Sequence, residues 1–124
     1  MSYTVEYYEM EDGTKPAEDF ILAQDIKMRA KLLTMLEFLE EKGPELREPY
    51  SKSLGDGIFE VRAKQASDIT RVLYFFVEGK KAILTNGFVK KTQKTPPAEI
   101  ERAKRYRTDY QRRKEDLTYG EEFS

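Results

Sequence analysis

Apolar residues along this chain change their spacing several times, and each change marks an element. Tyr3, Val5 and Tyr7 alternate with Thr4, Glu6 and Tyr8, which predicts a first strand over Tyr3–Glu9, closed by Asp12-Gly13. Pro16 suits the first position of a helix, where a missing amide costs nothing, and Ala17, Phe20 and Ile21 give that helix a short apolar stripe. Asp25 is a good N-cap for a second helix, in which Met28, Leu32, Met35 and Leu39 recur at helical spacing and Leu33 and Leu36 widen the stripe. Gly43-Pro44 stops it, because glycine takes the left-handed cap and proline cannot continue the helix. A hairpin is the simplest packing for two such helices.

From Pro49 the spacing becomes twofold. Gly55-Asp56-Gly57 reads as a turn and Ile58–Ala63 as a strand, with Phe59 and Val61 on one side and Glu60 and Arg62 on the other. Ser67-Asp68 turns the chain into Ile69–Val77, apolar almost throughout, as a central strand covered on both faces would be. Glu78-Gly79 is a hairpin signal leading to Lys81–Val89. Thr95 is placed to cap a third helix opening with Pro96-Pro97, whose core-facing stripe is Ile100, Ala103, Tyr106 and Tyr110; Arg102, Arg105 and Arg112 fall on another face. The order is β-α-α-β-β-β-α. It predicts an α+β fold with a twisted, mainly antiparallel sheet, helices on one face and the other face at least partly open as a working surface. Residues 1–113 read as one domain and 114–124 as a loose acidic tail with little to bury.

Composition narrows the function. With 124 residues, 39% hydrophobic and 36% charged, the chain can bury a core beneath a solvated surface. It has no membrane-length apolar run and no signal-peptide pattern, so a cytoplasmic location is expected. Without cysteine or histidine, disulfides and Ser-His-Asp or Cys-His nucleophile systems are excluded, and a zinc site is not expected. No metal or other cofactor is expected.

The formal net charge of −1 conceals a segregation. Residues 1–51 carry six basic and twelve acidic side chains, residues 52–114 carry sixteen basic and seven acidic, and the last ten carry four acids and no base. The middle stretch, at +9, is a footprint for a polyanion.

In that stretch, strand alternation gathers polar groups onto one surface. Glu60 and Arg62 share a strand face, Arg71 lies early in the next strand, and Lys90, Lys91 and Lys94 follow the last one, with Lys64 and the Arg102/Arg105 helix face as further cations. Such a cluster suits phosphodiester cleavage: arginine holds phosphate oxygens bidentately, a lysine made less basic by cationic neighbours exchanges protons, and a glutamate accepts one. One carboxylate among many cations is a poor magnesium site. Plainer roles stand beside these. The three lysines fit a solvated strand end, and Glu60–Arg62 a surface ion pair. Arg71, in an apolar strand, needs a partner, either Glu60 or a phosphate. Tyr74, alternating with Val72 and Phe76, reads as core, as do Tyr106 and Tyr110 on their helix stripe.

The runs Phe59-Glu60-Val61-Arg62, Arg71-Val72-Leu73-Tyr74, Phe88-Val89-Lys90-Lys91 and Lys94-Thr95-Pro96 resemble the phage-derived branch of the RelE/HigB toxin superfamily. The likeness covers roughly residues 3–113, and Phe-x-Lys-Lys-x-x-Lys-Thr-Pro is its specific part. It implies the toxin of a type II toxin-antitoxin system. Such a toxin is an endoribonuclease that cuts mRNA in the ribosomal A site by attack of the ribose 2′-hydroxyl. A small antitoxin, a helix-turn-helix protein by the same resemblance, would inhibit it. Position by position, the resemblance makes Arg62 a catalytic basic residue, Arg71 the arginine on the scissile phosphate and Lys91 the counterpart of a catalytic arginine after the last strand, so that Arg62, Arg71 and Lys91 would bind and stabilise the phosphate. Lys64, Lys90, Lys94, Arg102 and Arg105 would engage RNA, and Glu60 would orient Arg62 or help proton transfer. The chain departs from the pattern in lacking the aromatic acid that follows the last arginine, where Pro96-Pro97 stands, and in lacking the histidines of some HigB relatives. Phe59 stands where tryptophan is common. Lys90, Lys94 and Tyr106 are the candidates for protonating the leaving oxygen. The alternatives from other classes are a ParE-like poison of DNA gyrase, which shares the fold without the nuclease chemistry, and a non-catalytic relative that only binds its antitoxin.

Overall fold

The computed structural model describes residues 2–123, with side chains as far as Asp116. Its elements are β1 (Thr4–Tyr7), α1 (Pro16–Ala23), α2 (Ile26–Lys42), a short 3-10 turn (Gly43–Glu45), β2 (Ser51–Gly55), β3 (Ile58–Gln65), β4 (Asp68–Val77), β5 (Lys81–Val89) and α3 (Pro97–Phe123). The fold is α+β, as the spacing predicts. Asp25 caps α2 by accepting from the Met28 amide at 2.9 Å, and Gly43 ends it at a φ of 52°.

The five strands form one sheet in the order β1-β5-β4-β3-β2, antiparallel except for the parallel pair β1–β5. Strand β2 is an addition to the predicted order. Its sequence, Ser-Lys-Ser-Leu-Gly, carries no apolar alternation. It pairs because Asp56 and Gly57, both at positive φ (52° and 75°), form a two-residue hairpin loop whose twist matches that of the strands. Ser51 is buried because its hydroxyl shares a hydrogen bond with that of Tyr74, a core residue as expected. The β4–β5 turn takes three residues, with Gly79 and Lys80 at positive φ, where the sequence suggested two.

Two corrections concern the helices. First, α1 packs chiefly on β5 and α2 chiefly on β3, so each is seated on the sheet more than on the other, and the contact expected between the two helices is slight. Ala17, Ile21, Met28, Leu32 and Leu39 meet Val61, Val72, Tyr74 and Leu84 there. Second, α3 lies on the opposite face, where Ile100, Ala103, Tyr106 and Tyr110 meet Ile58, Leu73, Phe75 and Ile83. Helices therefore cover both faces. The physical reason is β4, whose residues are apolar in both directions and need cover twice. Helix α3 runs to Phe123, so the segment that the sequence sets apart as a loose tail continues the helix; the side chains of Glu121 and Glu122 lie outside the described residues.

Helix α3 is pinned at several points. Arg107 pairs with Asp56 of the β2–β3 hairpin at 2.9 Å. Tyr8, buried and stacked on Tyr106 with centroids 4.7 Å apart, donates its hydroxyl to Asp109 at 2.6 Å. Burial, with the Asp109 carboxylate beside it, pushes that hydroxyl up to about 12. Tyr106 and Tyr110 are packing residues, as the helix stripe implies.

On the other face, Gly87 of β5 faces the ring of Phe20 in α1, and a β-carbon at Gly87 would overlap that ring. Gly87→Ala is expected to cost about 1–3 kcal/mol in urea denaturation, as overpacking does. An unchanged midpoint would show that α1 yields freely.

Candidate phosphate-binding site

Strand register sets out three rows on the face that carries α3. Lys52, Glu60, Leu73 and Asn86 form the first row and Arg62, Arg71 and Phe88 the second. The third holds Lys64 and Ile69, continued by Lys90, whose amide donates to the Ile69 carbonyl at 2.8 Å. Leu73 is covered by the α3 stripe, while Lys52 and Lys64 are exposed and Lys90 is half-buried. Cations from four strands or their ends thus meet on one side of the sheet.

Glu60 organises them. Its side chain is 1% exposed. One oxygen, Oε2, lies 3.0 Å from Nε of Arg62 and 3.2 Å from Nε of Arg71; the other accepts from the hydroxyl of Thr95. Arg62 and Arg71 stand directly opposite each other in the register, an arrangement that repulsion would disfavour without the carboxylate between them. Arg71 also donates to the Thr70 carbonyl at 3.0 Å, and Arg62 reaches toward Glu48 at 3.8 Å. Burial holds the Arg71 guanidinium below its usual value, with Glu60 opposing and Arg62 adding to the shift. It stays charged, since arginine is effectively always protonated. Burial likewise lowers Lys90, and the charges of Arg71, Arg62 and Lys52 add to this against Glu60.

Of the residues singled out from sequence, Glu60, Arg62 and Arg71 share direct contacts, and Lys90 shares their field. Glu60 is a buried hub, neither a surface ion pair nor a solvent-facing proton acceptor. Lys64 lies on the same face without a contact in the cluster, and Lys91 and Lys94 are exposed on the loop that follows β5. Arg102 is drawn instead to Glu99, at 2.9 Å, whose carboxylate also accepts from the buried Asn86 amide. Arg105 lines a shallow groove of about 330 Å³ along α3 with Lys104, Thr108, Asp109 and Arg112. Thr95 does not cap α3: Pro96 takes that place, its carbonyl accepting from the Glu99 and Ile100 amides, and the Thr95 hydroxyl goes to Glu60.

Two contributors escaped the sequence reading. Lys52 sits on the strand that the pattern hid, although the Asp-Gly turn after it was a usable signal. The Thr95–Glu60 contact spans thirty-five residues and has no local signature. Among the described residues no three His, Cys, Asp or Glu side chains are grouped so as to hold a metal ion, and no helix is long and apolar enough to cross a membrane.

The profile of the family described as "Phage derived protein Gp49-like" matches residues 19–108, well over half of the chain. The chain belongs to the phage-derived Gp49-like family. For this Gp49-like chain the matched region takes in every strand but β1, the whole Glu60 cluster and the first turns of α3. No curated protein matches it.

Proposed function

We propose that this Gp49-like chain is the toxin of a toxin-antitoxin pair of the RelE/HigB kind, and that it cleaves mRNA on the ribosome. The observation that carries the reading is the pair of arginines held by one buried carboxylate, with Lys90 and Lys52 around them. Two carboxylates, Glu60 and the more distant Glu48, against four cations leave room for a phosphate, and two guanidinium groups suit its equatorial oxygens as charge grows there. In this reaction the ribose 2′-oxygen attacks phosphorus, its proton passes to solvent, and the bond to the 5′-oxygen breaks. The ends left are a 2′,3′-cyclic phosphate and a 5′-hydroxyl. Ribosomal positioning of the substrate supplies the geometry that so sparse a site lacks. Lys90 gives its proton to the leaving oxygen, and Lys91, Lys94 and Lys64 hold flanking phosphates. A small antitoxin, a helix-turn-helix protein, would silence the site.

Mapping mRNA 5′ ends after brief induction tests the reading. Cuts phased to the reading frame and ending in 5′-hydroxyls are expected. Intact mRNA with broken chromosomes would mean a gyrase poison, and unimpeded growth a non-catalytic antitoxin binder.

A proton-donating Lys90 also sets a pH dependence. An acid works while protonated, so cleavage falls as pH rises through the Lys90 value, which lies below that of an ordinary lysine. The alkaline limb should disappear in Lys90→Ala along with about 10²–10⁴-fold of rate, the usual share of a general acid. A wild-type limb in Lys90→Ala would assign the proton elsewhere.

A further inference from the structure

The chain between β5 and α3 is anchored at two distant places. It leaves the sheet in the third row, where the Lys90 amide bonds Ile69 on β4, and touches down in the first row, where Thr95 bonds Glu60 on β3. In register, the row of Arg62 and Arg71 lies between those anchors. Between them the loop carries Lys91 and Lys94, both exposed, with only a local bond from the Thr92 hydroxyl to the Lys94 carbonyl at 2.7 Å. The Lys-Thr-Pro stretch thereby divides its work: Pro96 starts α3, the lysine offers charge, and the threonine ties the loop to the carboxylate that holds both arginines.

We infer that Thr95 is a positioning residue, whose hydroxyl on Glu60 latches the Lys90–Pro96 loop across the arginine pair so that the loop lysines and the arginines present one phosphate site. Three facts support the latch. The acceptor is a buried, charged carboxylate, which makes the bond stronger than a neutral one. No hydrogen bond from the stretch 91–94 to any other element is present among the described residues, so the hold on this stretch rests on its two ends. The same Glu60 fixes the guanidinium groups, so the loop and the arginines are referenced to one atom group.

The inference rests on the nuclease reading for its catalytic consequence, and the test separates the two. Thr95→Val keeps the shape and removes the hydroxyl; Thr95→Ser keeps the hydroxyl. Nicking of the native protein by trypsin after Lys91 and Lys94 is measured on both variants, with cleavage of mRNA on programmed ribosomes alongside. Thr95→Val should be nicked about tenfold faster in this loop and lose about tenfold in kcat/KM, as the loss of one charge-assisted bond implies, while Thr95→Ser matches wild type in both. A wild-type nicking rate in Thr95→Val would overturn the latch. Faster nicking with undiminished kcat/KM would overturn the positioning role. If wild type itself cuts no mRNA, the nuclease reading fails while the nicking rate still decides the latch.

Discussion

Arg71→Ala is expected to slow mRNA cleavage on the ribosome by about 10³-fold, roughly 4 kcal/mol of lost transition-state stabilisation. Arg71 is the central cation of the cluster: it lies in the middle row, faces Arg62 across the ladder and shares its carboxylate. It is also 8% exposed by its side chain, so a phosphate that reaches it is largely desolvated, and charge complementarity there is worth more than in water. The fold should tolerate the change. Without Arg71, Glu60 still has Arg62 at 3.0 Å and the Thr95 hydroxyl, so it is not left buried and unpaired. Thermal melting should therefore stay near that of wild type while cleavage collapses. Arg71→Lys should recover little, because an ammonium cannot engage a phosphate through the two-pronged fork of a guanidinium. Full cutting by Arg71→Ala would remove this cluster from the mechanism. Equal loss of melting temperature and activity would make Arg71 a structural residue.

The second large effect falls on stability. Glu60→Ala should cost about 3–5 kcal/mol, because it leaves the buried Arg71 guanidinium opposite Arg62 with no carboxylate between them. That is a large fraction of the 5–15 kcal/mol by which a domain of this kind is stable. Glu60→Gln should lose less, since its amide oxygen can still accept from Thr95. The double variant Glu60→Leu with Arg71→Met should regain most of the stability, because replacing a buried ion pair by apolar groups of similar volume is often neutral or better. It should regain no activity. Urea denaturation of the four proteins checks this, and a Glu60→Ala midpoint equal to that of wild type would show that the ion pairs are solvated and that the hub does not exist. Together the two predictions separate the partners: losing the arginine removes function with little loss of fold, and losing the carboxylate removes the fold.

Much of the architecture was legible because it is written in local spacing. The helical period of Met28, Leu32, Met35 and Leu39, the cap at Asp25 and the stop at Gly43 all reappear in α2. The continuous apolar run of Ile69–Val77 is the central β4, and its two-sided burial was readable from the absence of alternation. What escaped were features with no local period. Strand β2 is polar and is held by its hairpin and by one serine–tyrosine bond. The seating of α1 and α2 on the sheet depends on close approaches such as Phe20 to Gly87, which no stripe reveals.

For the site, the residue types were determined by sequence alone: basic groups concentrated in residues 52–114, no histidine or cysteine, and Glu60 two residues before Arg62. Alternation also placed Glu60 and Arg62 on one strand face. Only the tertiary structure decided that Glu60 is buried, that Arg71 is its second partner, that Lys90 and Lys52 join the field, and that Arg102 pairs with Glu99. The physical reason is range. Spacing along a chain fixes which face of its own element a residue occupies, whereas the state of a charge is set by whatever other elements bring within a few ångströms and by how far they exclude water. Both depend on registers and crossings that the local pattern does not encode.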